Sequence, residues 1–250
     1  GFYELIASLF SYILVVESGI HYGVTKLYCK AMVLNDEKEQ ENVLATARRI
    51  YRILSVFILF AGIVIIIGFR VFYKDSFSLF QLGEGIWMLL ILTINFIITL
   101  MSMPYLSAIN AHEKFFFLRA VSIVFQVVQP VVCIMLLLKR PFALTMVVGQ
   151  LITNIAITGC RFYYARYRLN VKLILHYRDR KIEREILLFA GSFLLANVAD
   201  QIFWKADQVI LGKMMNAVTV AIYAVSSHIY LNYLGFGAAF SGVFLPKVTK

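Results

Sequence analysis

The sequence predicts an all-α integral membrane protein, and two observations support this fold class. First, the 250 residues are 61% hydrophobic and have a mean hydropathy of +0.79, which is far above the composition of soluble domains. Second, long apolar segments alternate with polar loops, and most Lys and Arg residues lie in every second loop. This distribution is typical of helices oriented in a bilayer. It explains the net charge of +10 by contact with membrane lipids, so no nucleic-acid partner is expected.

Seven segments are apolar over roughly the 20 residues that a helix needs to cross the hydrocarbon core. The first alternates apolar with small polar residues, and the second is the most uniformly apolar. Pro104 lies late in the third span, and Pro130 lies in the middle of the fourth. The turn 139–141 is so short that the fourth and fifth spans must be antiparallel neighbours. The predicted spans are 1–22, 51–69, 86–109, 116–138, 142–160, 186–206 and 218–245.

The loops 23–52, 110–119, 161–185 and 246–250 contain most of the cations and are therefore predicted to be cytoplasmic. On this basis residue 1 lies outside and residue 250 lies inside. Loop 161–185 mixes many cations with Tyr, Leu and Ile, which predicts an amphipathic helix on the inner leaflet. It also separates five spans from two and is predicted to be the boundary between two membrane lobes. The opposite loops hold only Arg70, Lys74, Lys139, Arg140, Lys205 and Lys213.

Polar side chains on five different spans are predicted to lie near the middle of the bilayer, at about 1.5 Å of rise per residue. A single Asn or Gln at this depth usually forms an interhelical hydrogen bond. A set of them at one depth could instead line an aqueous cavity, because unpaired polar groups avoid hydrocarbon. The set is Asn95, Gln126, Gln129, Asn154, Asn197, Asp200, His228 and Asn232.

The sixth span has the most polar face, a stripe roughly 120° wide at about 100° per residue. Asp200 is the only acid deep in a late span, and a titratable group at this depth is what a proton- or sodium-coupled carrier needs. The alternative is a buried carboxylate that pairs with His228 or Lys205 for packing. The stripe contains Asn197, Asp200, Gln201, Trp204, Asp207 and Gln208.

Sequence motifs of enzymes and of ATP-driven machines are absent from the chain. It has no Walker A loop, no Gly-rich dinucleotide turn and no nucleophile elbow. Cys29, Cys133 and Cys160 are isolated from one another, and the four His residues lack the spacing of metal ligands. We therefore predict no cofactor, no metal and no catalytic residue.

Three segments in the last quarter of the chain carry a family resemblance: 197–201 (NVADQ), 207–213 (DQVILGK) and 220–225 (VAIYAV). With this pattern the sequence resembles the Wzx-type oligosaccharide (polysaccharide biosynthesis) flippases of the multidrug/oligosaccharidyl-lipid/polysaccharide exporter superfamily. The spacing of the whole chain is similar to helices two to eight of such a protein.

This resemblance implies part of a two-lobe exporter with roughly 12–14 helices. Residues 1–165 would form most of the first lobe, 166–185 the basic inter-lobe linker and 186–250 the first helices of the second lobe. The chain starts at Gly1 inside an apolar segment, so we expect it to be the middle of a longer protein.

The resemblance also implies a function, which is the transport of polyprenyl-diphosphate-linked oligosaccharides across the bacterial inner membrane by alternating access. This would serve the synthesis of surface polysaccharides such as lipopolysaccharide or capsule. The implied partners are the lipid-linked oligosaccharide, membrane lipids and the polysaccharide polymerase machinery.

Asp200, with His228, is the candidate for coupling to a cation gradient. The candidate sugar-binding residues are Asn95, Gln126, Gln129, Asn154, Asn197, Gln201, Trp204 and Asn232. The candidates for attracting the diphosphate, all near the inner mouth, are Lys26, Arg48, Arg49, Arg52 and Arg119.

Two alternatives remain open from the sequence. A drug/cation antiporter of the same superfamily would favour more acids in the first lobe, where Glu17 is the clear one. A membrane glycosyltransferase or polymerase would usually need a large external loop with catalytic acids or arginines. The longest external loop predicted here is 70–85, which argues against that class.

Overall fold

The computed structural model describes residues 2–14, 18–73, 78–177, 179–214 and 217–248. Inside the helices, the description leaves out the side chains of residues 2, 11–14, 18, 192–197, 200–201, 204–206, 208–209, 212–213, 217–218 and 235–248. All regular secondary structure in the described residues is helical. The predicted all-α class is therefore confirmed.

The described chain forms eight α-helices in sequence. They are α1 (Phe2–Leu14), α2 (Ser18–Val33), α3 (Glu37–Phe72), α4 (Leu79–Ala111), α5 (Phe115–Lys139), α6 (Ala143–Tyr163), α7 (Arg180–Met214) and α8 (Ala217–Val248). A π-helical turn, Tyr164–Arg168, continues α6.

Four helical segments in the described part of the chain are long and apolar enough to cross a membrane. They correspond to the second, third, fourth and fifth predicted spans, and the molecule is accordingly an all-α membrane protein. The count of seven spans rests on the sequence for the other three. The four segments are Glu37–Phe72, Leu79–Ala111, Phe115–Lys139 and Ala143–Arg168.

The predicted long loop 23–52 is wrong, because most of it is helical. Helix α2 continues to Val33 and α3 begins at Glu37, so only a short turn separates them. The Asp36 carboxylate caps α3 by accepting a hydrogen bond of 2.9 Å from the Glu39 backbone N–H. Charged residues continue both helices beyond the apolar segments from which the spans were predicted, since a helix that leaves the membrane needs no apolar surface.

The predicted amphipathic helix over 161–185 is also wrong in its middle. After the π-helical turn, the described residues of the segment 169–179 form no helix. This segment lies against the start of α3, where His176 Nε2 is 2.7 Å from Glu41 Oε2. The Tyr177 backbone N–H donates a hydrogen bond of 3.2 Å to Asn42 Oδ1. Polar contacts with α3 thus replace the helical hydrogen bonds that the composition favours.

The described turns between helices lie at two ends of the bundle. At one end, called the basic end below, the turns 34–36 and 112–114 and the segment 169–179 lie around a small cleft. The opposite end contains the end of α3 at Phe72, the start of α4 at Leu79 and the turn 140–142, where the rings of Phe80 and Phe142 are 6.0 Å apart. Most described cations lie toward the basic end, as expected for loops on one side of a membrane.

Helix α4 is central, because it contacts α1, α2, α3, α5 and α6. A Cβ atom on Gly62 of α3 would lie 2.7 Å from Thr93 Oγ1 of α4, so these two helices approach closely. At the basic end, His21 of α2 contacts Ser107 and Asn110 of α4 at 2.8 Å and 3.1 Å. Helix α7 packs on α1 and α2, and α8 packs on α1 and α7. These contacts leave a polar cavity beside α4.

Candidate substrate cavity

A cavity of about 530 Å³ lies between α1, α4, α5 and α6. Five of its lining residues are apolar, namely Ala7, Phe10, Leu92, Phe96 and Ile157. The other seven carry neutral amides or hydroxyls, namely Tyr3, Asn95, Thr99, Gln129, Gln150, Thr153 and Asn154. Asn95 and Asn154 lie about half-way along two segments long enough to cross a membrane, so the cavity lies beside the middle of both segments.

Asn154 is the centre of a hydrogen-bond network between α6 and α4. Its Nδ2 group donates to Asn95 Oδ1 at 2.7 Å and to Thr99 Oγ1 at 2.8 Å. It is also 3.1 Å from the backbone oxygen of Asn95. The Thr99 hydroxyl donates to that same oxygen at 3.1 Å. The network fixes the distance between two helices, while the Asn154 Oδ1 and Asn95 Nδ2 atoms form no hydrogen bond to any described residue.

Helix α1 closes the cavity with one polar and one aromatic contact. Gln150 Nε2 of α6 donates a hydrogen bond of 2.5 Å to the Tyr3 hydroxyl. The rings of Phe10 and Phe96 meet edge to face, with centroids 6.1 Å apart. The amide of Gln129, on α5, makes no hydrogen bond within the described part of the chain. The cavity therefore combines fixed polar groups with amide groups that can bind a ligand.

The structure brings together three of the predicted sugar-binding residues, Asn95, Gln129 and Asn154. Gln126 is exposed on α5 and does not line the cavity. Asn232 is exposed on α8, where its Nδ2 donates to the backbone oxygen of His228 at 2.8 Å. The side chains of Asn197, Gln201 and Trp204 lie outside the described residues.

Four polar lining residues were missed from the sequence: Tyr3, Thr99, Gln150 and Thr153. Two of them had a usable signal. Thr99 follows Asn95 by four residues and Gln150 precedes Asn154 by four, so each lies on the same helix face as a predicted residue. Thr153 was not predicted because a threonine hydroxyl can bond within its own helix, and here it donates to the Gly149 backbone oxygen at 3.0 Å. Such a residue can satisfy its own polar group without a partner on another helix.

Of the two residues predicted for cation coupling, only His228 has a described side chain. The side chain of Asp200 lies outside the described residues. His228 is exposed, and its Nε2 atom is 3.7 Å from Glu4 Oε1 of α1. Glu4 was missed from the sequence, although it is an acid within the first predicted span. Further along α7, Asp207 accepts a hydrogen bond of 2.5 Å from the Tyr223 hydroxyl of α8.

The predicted diphosphate-binding cations do not form one cluster. Arg48, Arg49 and Arg52 lie within about one turn of α3, and Arg49 Nη1 is 3.6 Å from Glu183 Oε1 of α7. The Lys26 ammonium lies 5.4 Å from the centre of the Phe189 ring of α7. Arg119 is exposed on α5 and makes no ion pair with a described residue. No group of three or more His, Cys, Asp or Glu residues able to hold a metal ion occurs among the described residues.

Comparison with known proteins identifies a family. A family model described as "Polysaccharide biosynthesis protein" matches residues 29–250. No curated protein and no solved structure matched the chain. The matched residues include α3 to α8 and therefore all the cavity-lining residues on α4, α5 and α6.

Proposed function

The chain belongs to the polysaccharide biosynthesis protein family, and we propose that it is a Wzx-type flippase for polyprenyl-diphosphate-linked oligosaccharides. It acts in the bacterial inner membrane, with residue 1 outside and residue 250 in the cytoplasm. The family supports a role in polysaccharide biosynthesis, and the apolar helices place the chain in a membrane. A lipid-linked sugar is the intermediate of such a pathway that must cross a bilayer, because its hydroxyl groups do not enter hydrocarbon on their own.

The polar cavity is the observation that carries this proposal. Its lining consists of amides, hydroxyls and apolar groups, with no charged side chain among the described lining residues. Such a surface suits a neutral polyol, which needs hydrogen-bond donors and acceptors together with apolar side chains for its ring faces. The volume of about 530 Å³ lies within the range of roughly 300–1,000 Å³ for small-molecule sites. The lipid tail remains outside the cavity.

Transport proceeds by alternating access of two lobes, residues 1–165 and 186–250, joined by the linker 166–185. The Glu4–His228 pair lies between α1 of the first lobe and α8 of the second. Together with Asp200, this contact between the two lobes couples transport to a cation gradient. Asn197, Gln201, Trp204 and Asn232 extend the sugar path on the second lobe.

The two alternatives predict different ligands for the same cavity. A drug/cation antiporter needs carboxylates against its substrate, whereas the described lining is neutral. A glycosyltransferase or polymerase shares the family's role in polysaccharide biosynthesis but needs a catalytic acid, base or arginine beside the sugar. The neutral lining therefore favours binding and transport over either alternative.

Complementation tests the proposal. The full-length gene is expressed in cells that lack their polysaccharide flippase, and surface glycan is measured. We expect restoration by the wild type. Gln129→Leu and Asn154→Leu should lower glycan export by about three- to tenfold at equal protein level, as expected for the loss of interhelical or ligand hydrogen bonds in a membrane.

Gln126→Leu is the matched control, because it is the same change on the same helix at a position outside the cavity. It should keep wild-type export. Equal loss in Gln126→Leu and Gln129→Leu would contradict the cavity assignment. Drug efflux in place of glycan export would favour the antiporter, and sugar transfer by the purified protein would favour the enzyme.

A further inference from the structure

A groove of about 460 Å³ lies between α3 and α7, separate from the sugar cavity. Its walls are apolar and include Ile53, Leu54 and Phe57 of α3 and Leu187 and Ala190 of α7. Ile53, Phe57 and Leu187 are 63%, 60% and 53% exposed. Because α3 is one of the segments able to cross a membrane, an exposed apolar groove on this helix suits contact with lipid chains.

The end of the groove nearest the basic end is charged. Arg49 and Glu183 both line it there, with side chains 39% and 22% exposed and 3.6 Å between Nη1 and Oε1. This separation exceeds the usual hydrogen-bond length of roughly 2.7–3.2 Å, and a guanidinium has five N–H donors. Arg49 therefore keeps donors for an anionic ligand. Arg52 lies three residues further on, on a neighbouring face of α3, and is exposed.

We propose that this groove binds the isoprenoid units next to the diphosphate of the lipid-linked substrate, with Arg49 and Arg52 bound to the diphosphate. The inference rests on the proposed function and adds to it a site for the lipid part of the substrate. The distance from Arg49 to Phe57 is eight residues, or about 12 Å of helix, which accommodates the first part of an extended isoprenoid chain.

Charge and shape select this occupant over an ordinary phospholipid. The diphosphate diester brings two negative charges to two arginines about one turn apart, whereas a phospholipid brings one phosphate and two acyl chains to a single groove. The surrounding lipid is as apolar as the groove, so apolar contacts position the chain while charge-assisted hydrogen bonds supply the affinity. Glu183 competes for Arg49 and is displaced when the diphosphate binds.

Photocrosslinking in the full-length protein tests this site. Benzoylphenylalanine is placed at Phe57 or, as a matched control, at Phe60, which is 65% exposed on the same helix but outside the groove. The protein is held in phosphatidylglycerol nanodiscs that contain polyprenyl diphosphate or the neutral polyprenol. We expect several-fold more adduct with polyprenyl diphosphate at Phe57 than at Phe60, and no such preference with polyprenol.

Two charge variants test the role of Arg49 and Glu183 at the charged end of the groove. Arg49→Gln should lower the diphosphate adduct at Phe57 by about tenfold, which corresponds to the loss of a hydrogen bond between charged groups. Glu183→Gln should raise it, because the competing carboxylate is gone. An unchanged adduct in both variants would overturn the diphosphate contact, whereas a folding defect would lower adducts at Phe57 and Phe60 alike.

Three results would overturn the groove assignment itself. Equal adducts at Phe57 and Phe60 would mean that the chain stays in bulk lipid. An adduct between Phe57 and another part of the protein would mean that a protein segment covers the groove. Adducts with phosphatidylglycerol that outnumber those with polyprenyl diphosphate would mean an ordinary lipid site. Glycan export by the wild type is measured separately, so failure of the groove and failure of the proposed function are distinguishable.

Discussion

Replacing Gly62 with Ala tests the close contact between α3 and α4 that positions one side of the cavity. The new Cβ atom would lie 2.7 Å from Oγ1 and 2.8 Å from Cγ2 of Thr93. Thr93 is buried, its hydroxyl donates to the Leu89 backbone oxygen at 2.8 Å, and its branched side chain has few alternative rotamers. The contact must therefore open by about 0.7 Å to reach an ordinary van der Waals distance of 3.4 Å.

Overpacking of this kind costs about 1–3 kcal/mol of unfolding free energy. Gly68→Ala is the matched control, since it lies on the same helix and its Cβ would meet no atom within 4 Å. That control should be neutral or stabilising by up to about 1 kcal/mol, because Ala favours a helix over Gly. We expect Gly62→Ala to unfold at lower denaturant than Gly68→Ala, measured on full-length protein in one detergent.

A second substitution identifies the atoms responsible. Thr93→Ala removes both atoms that clash and leaves only its own Cβ, which is 3.3 Å from the Cβ atom that Gly62→Ala adds. The double variant Gly62→Ala/Thr93→Ala should recover most of the loss, which gives a coupling energy of about 1–2 kcal/mol in a double-mutant cycle. Equal stability of the Gly62 and Gly68 variants, or independent effects of the two substitutions in the cycle, would refute the reasoning.

Two further predictions concern the basic end. Burial lowers the pKa of His112 below its usual 6.5, so its stabilising contribution is complete above pH 6.5 and falls as the pH drops toward the lower folded value. Thermal unfolding between pH 7.5 and 5 should show this loss of stability. His112→Asn, which also ends the 3.4 Å contact with the Tyr28 hydroxyl, should make the unfolding temperature less dependent on pH. Glu41→Gln weakens the contact of 2.7 Å with His176, so amide hydrogen exchange in the segment 169–179 should become faster, while an unchanged rate would show that the other contacts of this segment suffice.

The sequence predicted the helices better than their ends. Apolar length located α3, α4, α5 and α6, because the thickness of a bilayer sets a minimum that few other structures require. It could not predict that α2 continues to Val33 or that α3 begins at Glu37. Outside the membrane a helix depends on capping and on packing with neighbours, and those forces leave a weaker pattern than hydrophobicity.

The position of a polar residue along its helix can be read from the sequence, but its rotation about the helix axis cannot. Gln126 and Gln129 lie on the same apolar helix, three residues apart. Only Gln129 lines the cavity, and Gln126 is exposed. Neither hydropathy nor periodicity distinguishes the two, because α5 is apolar on nearly all sides and its orientation is set by contact with α6.

The sequence by itself determined that this is an all-α membrane protein, which residues are polar at mid-depth and on which loops the cations lie. Each of these properties belongs to a single segment and its surroundings, because it follows from the transfer free energy of each residue between water and hydrocarbon. Only the tertiary structure decided that Asn154 bonds to Asn95 and Thr99, that Glu4 faces His228, and that Arg49 ends an apolar groove. Those pairings depend on which helices are neighbours and how each is rotated, and close packing at positions such as Gly62 fixes both.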